Sequence, residues 1–448
     1  MRQHPQERTA GIPGAARNPV LPISHHVPDG EAHVMPDGRL YVYGSYDTMD
    51  NWYCSDLYHV VSTSDFCEWR VHEVAFRGQQ VPWFPDPAGY GATVPKSTVL
   101  ASAGGEDADV PSELAGSPLL YAPDAVERHG LYYLYFCMAD GSEGVATSDR
   151  PEGPFVDPKQ LPARGIDPAI FIDDDNKVYF YWGQISARGV QIEDDMMSFD
   201  PQEVVEDLVT EAEHGFHEGP SMRKIGALYY LVFSDASRGR PTALGYATSV
   251  SPLGPFQYKG IIIDNADCDP ESWNNHGSIQ CFNDRWYVFY HRSSRGGRFH
   301  RRLCLEPLQV LEDGSIPEVP MTSQGVGEPF SAGEFVEAFR ACAVSGGARI
   351  DVDRNGDEFL TGLFDGDEAA FRFVRSIEGF SSINLELEGD GEIDVFLGET
   401  HLCSLQASGG RQSYRGFFPR VVASHEEELR LRARRSTGLS IWGWELGE

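Results

Sequence analysis

The strongest constraint on the fold is a phrase that the chain repeats. Residues 144–155 read GVATSDRPEGPF and residues 245–256 read GYATSVSPLGPF, with a shorter echo, STSD, at 62–65. Upstream of each stands a strand rich in aromatic residues and opened by a turn: GRLYVY at 38–43, GLYYLY at 130–135 and GALYYL at 226–231. NKVYFY at 176–181 and DRWYVF at 284–289 are two more of the same type. A small twisted sheet cannot bury both faces alone, so repeated units of this kind pack around an axis, and five of them predict a β-propeller. The first interval is longer than the others. Residues 79–116, rich in Pro, Gly, Ala and acidic side chains, are read as a loop inserted on the propeller face, either shaping a pocket or passive.

At 448 residues the chain exceeds one ordinary core. The pattern changes near residue 328, where alternating strands begin at 371–374, 383–387, 392–396, 428–432 and 439–442. Apolar-in, polar-out alternation without helices predicts a jelly-roll-like β-sandwich. The expected division is a flexible segment over 1–18, a propeller over 19–315, a linker within 316–328 and a sandwich over 329–448. The class is all-β.

A formal charge of −32 opposes phosphate backbones and anionic lipid headgroups, so neither nucleic acid nor membrane is an expected partner. Residues 1–18 lack the apolar core of a secretory signal, and no later segment approaches membrane-spanning length. The eight cysteines show no C-x-x-C spacing and read as free thiols. A cytoplasmic location is the expectation.

Three acids stand at entries to blades: Asp29 in PDGEAHV, Asp167 in GIDPAIF and Glu218 in HEGPSM. The first strand of every propeller blade lines the axis, so carboxylates distant in sequence can meet at one end of the channel. Asp before Pro or Gly is also a common turn residue, where its side chain accepts from backbone N–H groups.

The phrases IDPAIF (166–171) with DDD (173–175), HEGP (217–220), YAPD (121–124) and NHGSI (275–279) before WYVFY (286–290) resemble glycoside hydrolase family 43. The resemblance spans roughly 18–308. It implies a five-bladed propeller and inverting hydrolysis of glycosidic bonds in arabinose- or xylose-containing oligosaccharides. Matched by motif, Asp29 would be the general base, Glu218 the general acid, and Asp167 the residue that tunes and orients the acid. Where family members often show Asp-Pro, this chain has Asp29-Gly30; Glu31, Asp37 and Asp47 are acids nearby, and His33-Val34 with the strand ending YGSYD (43–47) keeps the register on Asp29. The acid must stay protonated near neutral pH, and a neighbouring carboxylate favours that because two like charges in a confined site disfavour ionisation of one.

The same resemblance places His276 near the axis, facing a possible structural calcium ion; the chemistry itself would need no cofactor. Asp124 would help order the sugar site. Sugar recognition calls for an aromatic face and for polar partners to hydroxyls. Trp83, Phe84, Trp182 and Trp273 are candidates for the first and Arg292 for the second, each with packing or a surface ion pair as its alternative. Trp442, Trp444, Tyr414, Phe417 and Phe418 could bind glycan on the sandwich, though docking is the favoured role of that domain. The leading expectation is an exo-acting α-L-arabinofuranosidase. A β-xylosidase and a non-catalytic carbohydrate-binding propeller are the alternatives.

Overall fold

The computed structural model describes residues 7–9, 16–85, 111, 114, 116–268 and 274–448. Five antiparallel blades surround an axis, the third and fourth joined in one sheet. Blade I is Glu31–Val34, Leu40–Tyr43, Leu57–Thr63 and Trp69–Arg77, and blade II is Asp124–Arg128, Leu131–Cys137, Ser142–Ser148 and Val156–Arg164. Blade III is Ala169–Ile172, Val178–Gln184 and Ser186–Ile192. Blade IV is Phe216–Ile225, Leu228–Asp235, Ala243–Ser249 and Gln257–Ile263. Blade V is Ser278–Phe282, Arg285–Ser294 and Gly297–Leu308.

The repeated phrase has a mechanical reason. Each copy places a proline carbonyl where a tyrosine of the preceding blade can reach it: Tyr43 Oη donates to Pro151 O at 2.7 Å, and Tyr181 Oη to Pro252 O at 2.9 Å. A buried phenol needs a partner, so the aromatic strand and the phrase are two halves of one inter-blade joint. The closing Phe155 and Phe256 of the phrases are buried in the seams beside them.

Blade V has three strands of its own, and the N-terminal segment completes it. Val20 N–H donates to Leu303 O at 3.1 Å, while the Asn18 side chain accepts from Leu305 N–H at 2.9 Å and donates to Glu306 at 2.8 Å. Arg17 pairs with Glu334. The end of the segment expected to be flexible is therefore anchored, because these polar groups close the ring. Most of the insertion read over 79–116 lies outside the described residues, as does Trp273.

The chain after 334 forms one nine-stranded sheet folded around its own core. Its two longest strands, Glu368–Glu388 and Gln412–Arg434, pair through repeated register shifts, and such bulges let a sheet turn corners. Trp444 is fully buried between Phe330 and Phe371. Trp442 lies between Phe359, 4.9 Å away, and the Arg411 guanidinium, 4.4 Å away, so neither tryptophan offers a free face. No helix among the described residues is long and apolar enough to cross a membrane.

Candidate active site

Asp29 and Asp167 precede the inner strands of blades I and III, and each has φ of 56°. Asp tolerates this left-handed region better than most residues. Glu218 stands on the inner strand of blade IV, between two register shifts that turn it out of the regular ladder and set it opposite Gln184 of blade III.

These three acids belong to one chain of contacts. Asn274 Nδ2 donates to Glu218 Oε1 at 3.2 Å, and Gln184 Nε2 donates to Glu218 Oε2 at 2.8 Å. Asn274 O lies 3.0 Å from His291 Nε2, whose Nδ1 accepts from Asp29 N–H at 3.2 Å. His276 Nδ1 then stands between the two aspartates, 3.7 Å from Asp29 and 3.8 Å from Asp167. Gly219, with φ of 65°, makes room for that imidazole: a Cβ there would come 2.5 Å from His276 Nε2.

The charges are set differently at each acid. Burial alone would raise the Asp29 carboxyl, but Arg301, His276 and Ser45 hold it below the usual carboxylate range. Arg301 Nη1 donates to Asp29 Oδ1 at 2.8 Å and Ser45 Oγ to Oδ2 at 2.6 Å. Asp167 has no such cation bonded to it. Burial, then the charges of Glu218, Asp29 and Glu143, push its carboxyl well above the usual range. Burial and the Arg301 charge push His291 down to about 3, which keeps the imidazole neutral, as its accepting Nδ1 requires. Asp29 and Asp167 are 5% and 6% exposed, whereas Glu218 is half-buried.

Beside the acids runs a wall of Tyr53, Cys54, Tyr121, Cys137 and Ile166, with half-buried Phe299 packed on Tyr53 at 4.8 Å. Arg301 lies under the Tyr53 ring, 4.8 Å from its centroid.

Other expected site residues fall elsewhere. Asp124 is in the axial channel, where it accepts from Ile170 N–H at 2.7 Å and meets His33 Nε2 at 2.7 Å, so it ties blades I, II and III rather than a sugar. Trp182 is 3% exposed and stacks on Phe180 in the seam between blades II and III. Arg292 points away from the pocket and donates to Ala341 O of the sandwich at 3.3 Å. Both are corrections to their expected sugar contacts, and burial is the reason. Trp83 is half-buried, its indole N–H directed to Ser142 Oγ at 3.3 Å, and Phe84 packs beside it.

The acidic cluster of the axial channel is a poor host for calcium. Among the described residues His276 belongs to no group of three ligating side chains; that spacing occurs instead at Glu31, His33 and Asp124, within 4.8 Å of one another. Arg223 Nη2 already bonds Glu31 Oε1 at 2.5 Å, and Ser221 Oγ reaches the same oxygen at 3.1 Å. The guanidinium holds the cation's place, and three donors fall short of the six to eight oxygens calcium takes. The donor set of Glu31, His33 and Asp124 does not fit the ion.

Ser45, Gln184, Asn274, His291 and Arg301 were not anticipated. Ser45 lies inside the phrase that fixed the register of Asp29, and His291 directly follows the aromatic strand of blade V, so strand alternation was the available signal.

A propeller that gathers three carboxyl groups at one end of its axis, Asp29 held low and Asp167 held high, has the makings of a hydrolase of glycosidic bonds. The profile described as Glycosyl hydrolases family 43 matches residues 106–316. A xylosidase/arabinosidase from Thermoclostridium stercorarium is 29% identical over 441 residues, covering 83% of this chain and 85% of that protein. A β-xylosidase from Xylanibacter ruminicola is 30% identical over 45% of this chain and 74% of its own length. Among solved structures, a family 43 β-xylosidase/α-arabinofuranosidase from a compost microbial metagenome, in complex with xylotriose and in calcium-free form, superposes with a TM-score of 0.54 at 28% identity, over 70% of this chain and 99% of that one. An arabinoxylan arabinofuranohydrolase from Bacillus subtilis shares the fold across both domains, at 22% identity and a TM-score of 0.52 over 98% of this chain and 99% of that one. The chain belongs to glycoside hydrolase family 43, and it is a glycosidase acting on O-glycosyl bonds.

Proposed function

We propose that the protein is an inverting, exo-acting glycosidase that releases terminal α-L-arabinofuranosyl residues from plant-type oligosaccharides. The observation that carries this reading is the contrast between Asp29, kept ionised by Arg301, and Asp167, kept protonated by burial beside Glu218. In this mechanism Asp29 takes a proton from water as the oxygen attacks the anomeric carbon. Glu218 delivers a proton to the departing oxygen, and Asp167 retains a proton beside it and orients the acid. Only carboxyl groups and water take part in the chemistry.

A terminal β-xylosyl substrate is the second reading. It is supported by the names of the Thermoclostridium and Xylanibacter relatives and by the xylotriose complex of the compost enzyme. Hydrolysis of nitrophenyl α-L-arabinofuranoside and β-xyloside by wild type and by Glu218→Ala separates the two readings. Proton NMR of the first-formed sugar gives its anomeric configuration. A product of retained configuration would end the inverting assignment, and a fully active Glu218→Ala would remove that residue from acid catalysis.

A further inference from the structure

Arg301 and Arg302 are consecutive on one strand and point to opposite faces, as strand geometry dictates. Arg301 turns inward. Besides bonding Asp29, it grips Asp47 through Nε at 2.9 Å, Nη2 at 3.0 Å and its own backbone N–H at 3.0 Å. Arg302 turns outward into the sandwich and has no exposed surface. Its Nη1 pairs with Glu358, its Nη2 donates to Leu21 O at 2.6 Å, and its guanidinium lies 5.3 Å from the Phe339 ring.

The same hairpin is held by the sandwich at two other points. Gly296, at its tip, donates to Ile350 O at 2.7 Å, and Arg292, opposite Arg302 in the ladder, donates to Ala341 O. Between tip and grip the ladder skips from Ser294–Gly297 to Ser293–Arg301, so the intervening residues leave the position of Arg301 unfixed by pairing from that side.

We propose that the sandwich is part of the catalytic apparatus, with Arg302 and Glu358 as positioning residues that hold Arg301 against Asp29. This rests on Asp29 being the general base. A buried Arg302 without Glu358 would carry an uncompensated charge, and the strand would shift to relieve it; without both residues the strand loses the ion pair and the Leu21 hydrogen bond that tether it. Arg301 would move with the strand, and Asp29 would lose the cation that keeps it ionised.

The test uses the full chain and two variants, the isosteric Glu358→Gln and the double Arg302→Met/Glu358→Leu, which removes both charges and keeps volume. The pH profile of kcat/KM is recorded with melting curves. The expected result is an acid limb displaced upward by about one pH unit in both, with kcat lowered and KM little changed. Glu334→Gln, which breaks the Arg17 pair elsewhere on the sandwich, should leave the limb in place. An unmoved limb in Glu358→Gln and the double variant overturns the proposal while the base assignment stands, provided Asp29→Asn is inactive. An active Asp29→Asn removes the base assignment, and the proposal with it.

Discussion

Asp29 and Asp167 adopt the same left-handed backbone conformation at the same place in two blades, yet one carboxyl is held low and the other high. The backbone position is common to both; the difference comes from what faces each side chain. Arg301 and Ser45 bond Asp29, whereas Asp167 meets Cys137 Sγ through its backbone N–H at 3.3 Å, and the charges of Glu218, Asp29 and Glu143 act on it more strongly than that of Arg301.

Asn also tolerates positive φ, so Asp29→Asn should preserve the local backbone while removing the ionisable group. Activity is expected to fall by about 10²- to 10⁴-fold with the fold retained, read from steady-state kinetics beside far-ultraviolet circular dichroism.

Gly219→Ala places a methyl group on His276 and forces an alanine to positive φ. A loss of about 1–3 kcal/mol in stability is expected, together with a drop in kcat, because the imidazole between the two aspartates must move. Chemical denaturation and turnover measured on the same preparation check both parts.

Trp182→Ala should act on stability. The indole fills the seam between blades II and III, and its removal should cost about 3–5 kcal/mol, with KM for nitrophenyl glycosides unchanged in the surviving folded fraction. A raised KM at unchanged melting temperature would return Trp182 to the sugar site.

Glu306 predicts a pH dependence of folding. Burial pushes its carboxyl up to about 7, even though Thr322, Arg292 and Tyr290 favour its charge. A carboxyl raised in the folded state contributes stability that is complete below its unfolded value near 4.5 and is lost as pH rises through about 7. Relative to Glu306→Gln, the wild type should therefore lose about 3 kcal/mol between pH 5 and pH 8, measurable by urea denaturation at each pH.

Because Arg223 stands where a cation would bind Glu31, chelation should change nothing. Melting temperature and kcat are expected to be the same in EDTA and in millimolar calcium. A rise in melting temperature with calcium would contradict this reading of the axial channel.

The propeller was legible because its joint is written twice: a tyrosine in one blade and a proline phrase in the next must both be kept for the seam to close. The three acids were legible for a related reason, since each sits in a blade entry with its own phrase. Their partners were harder to read. Arg292 was singled out where His291 faces the site, an error of one residue that moves a side chain to the other face of a strand. Asp124 shares the phrase type of the other entries, but its carboxyl is consumed by blade-to-blade bonds that only the assembled axis reveals. Arg301 lies 272 residues from Asp29, and nothing local marks it.

That separation also sets an order of events on the ribosome. Asp29 emerges 272 residues before the guanidinium that lets it stay charged in a dry interior, which arrives only with the last blade, and the strap at residues 18–21 can seat only then. Until translation passes blade V, the nascent chain lacks Arg301, so the charge that Asp29 needs for hydrolysis is secured late.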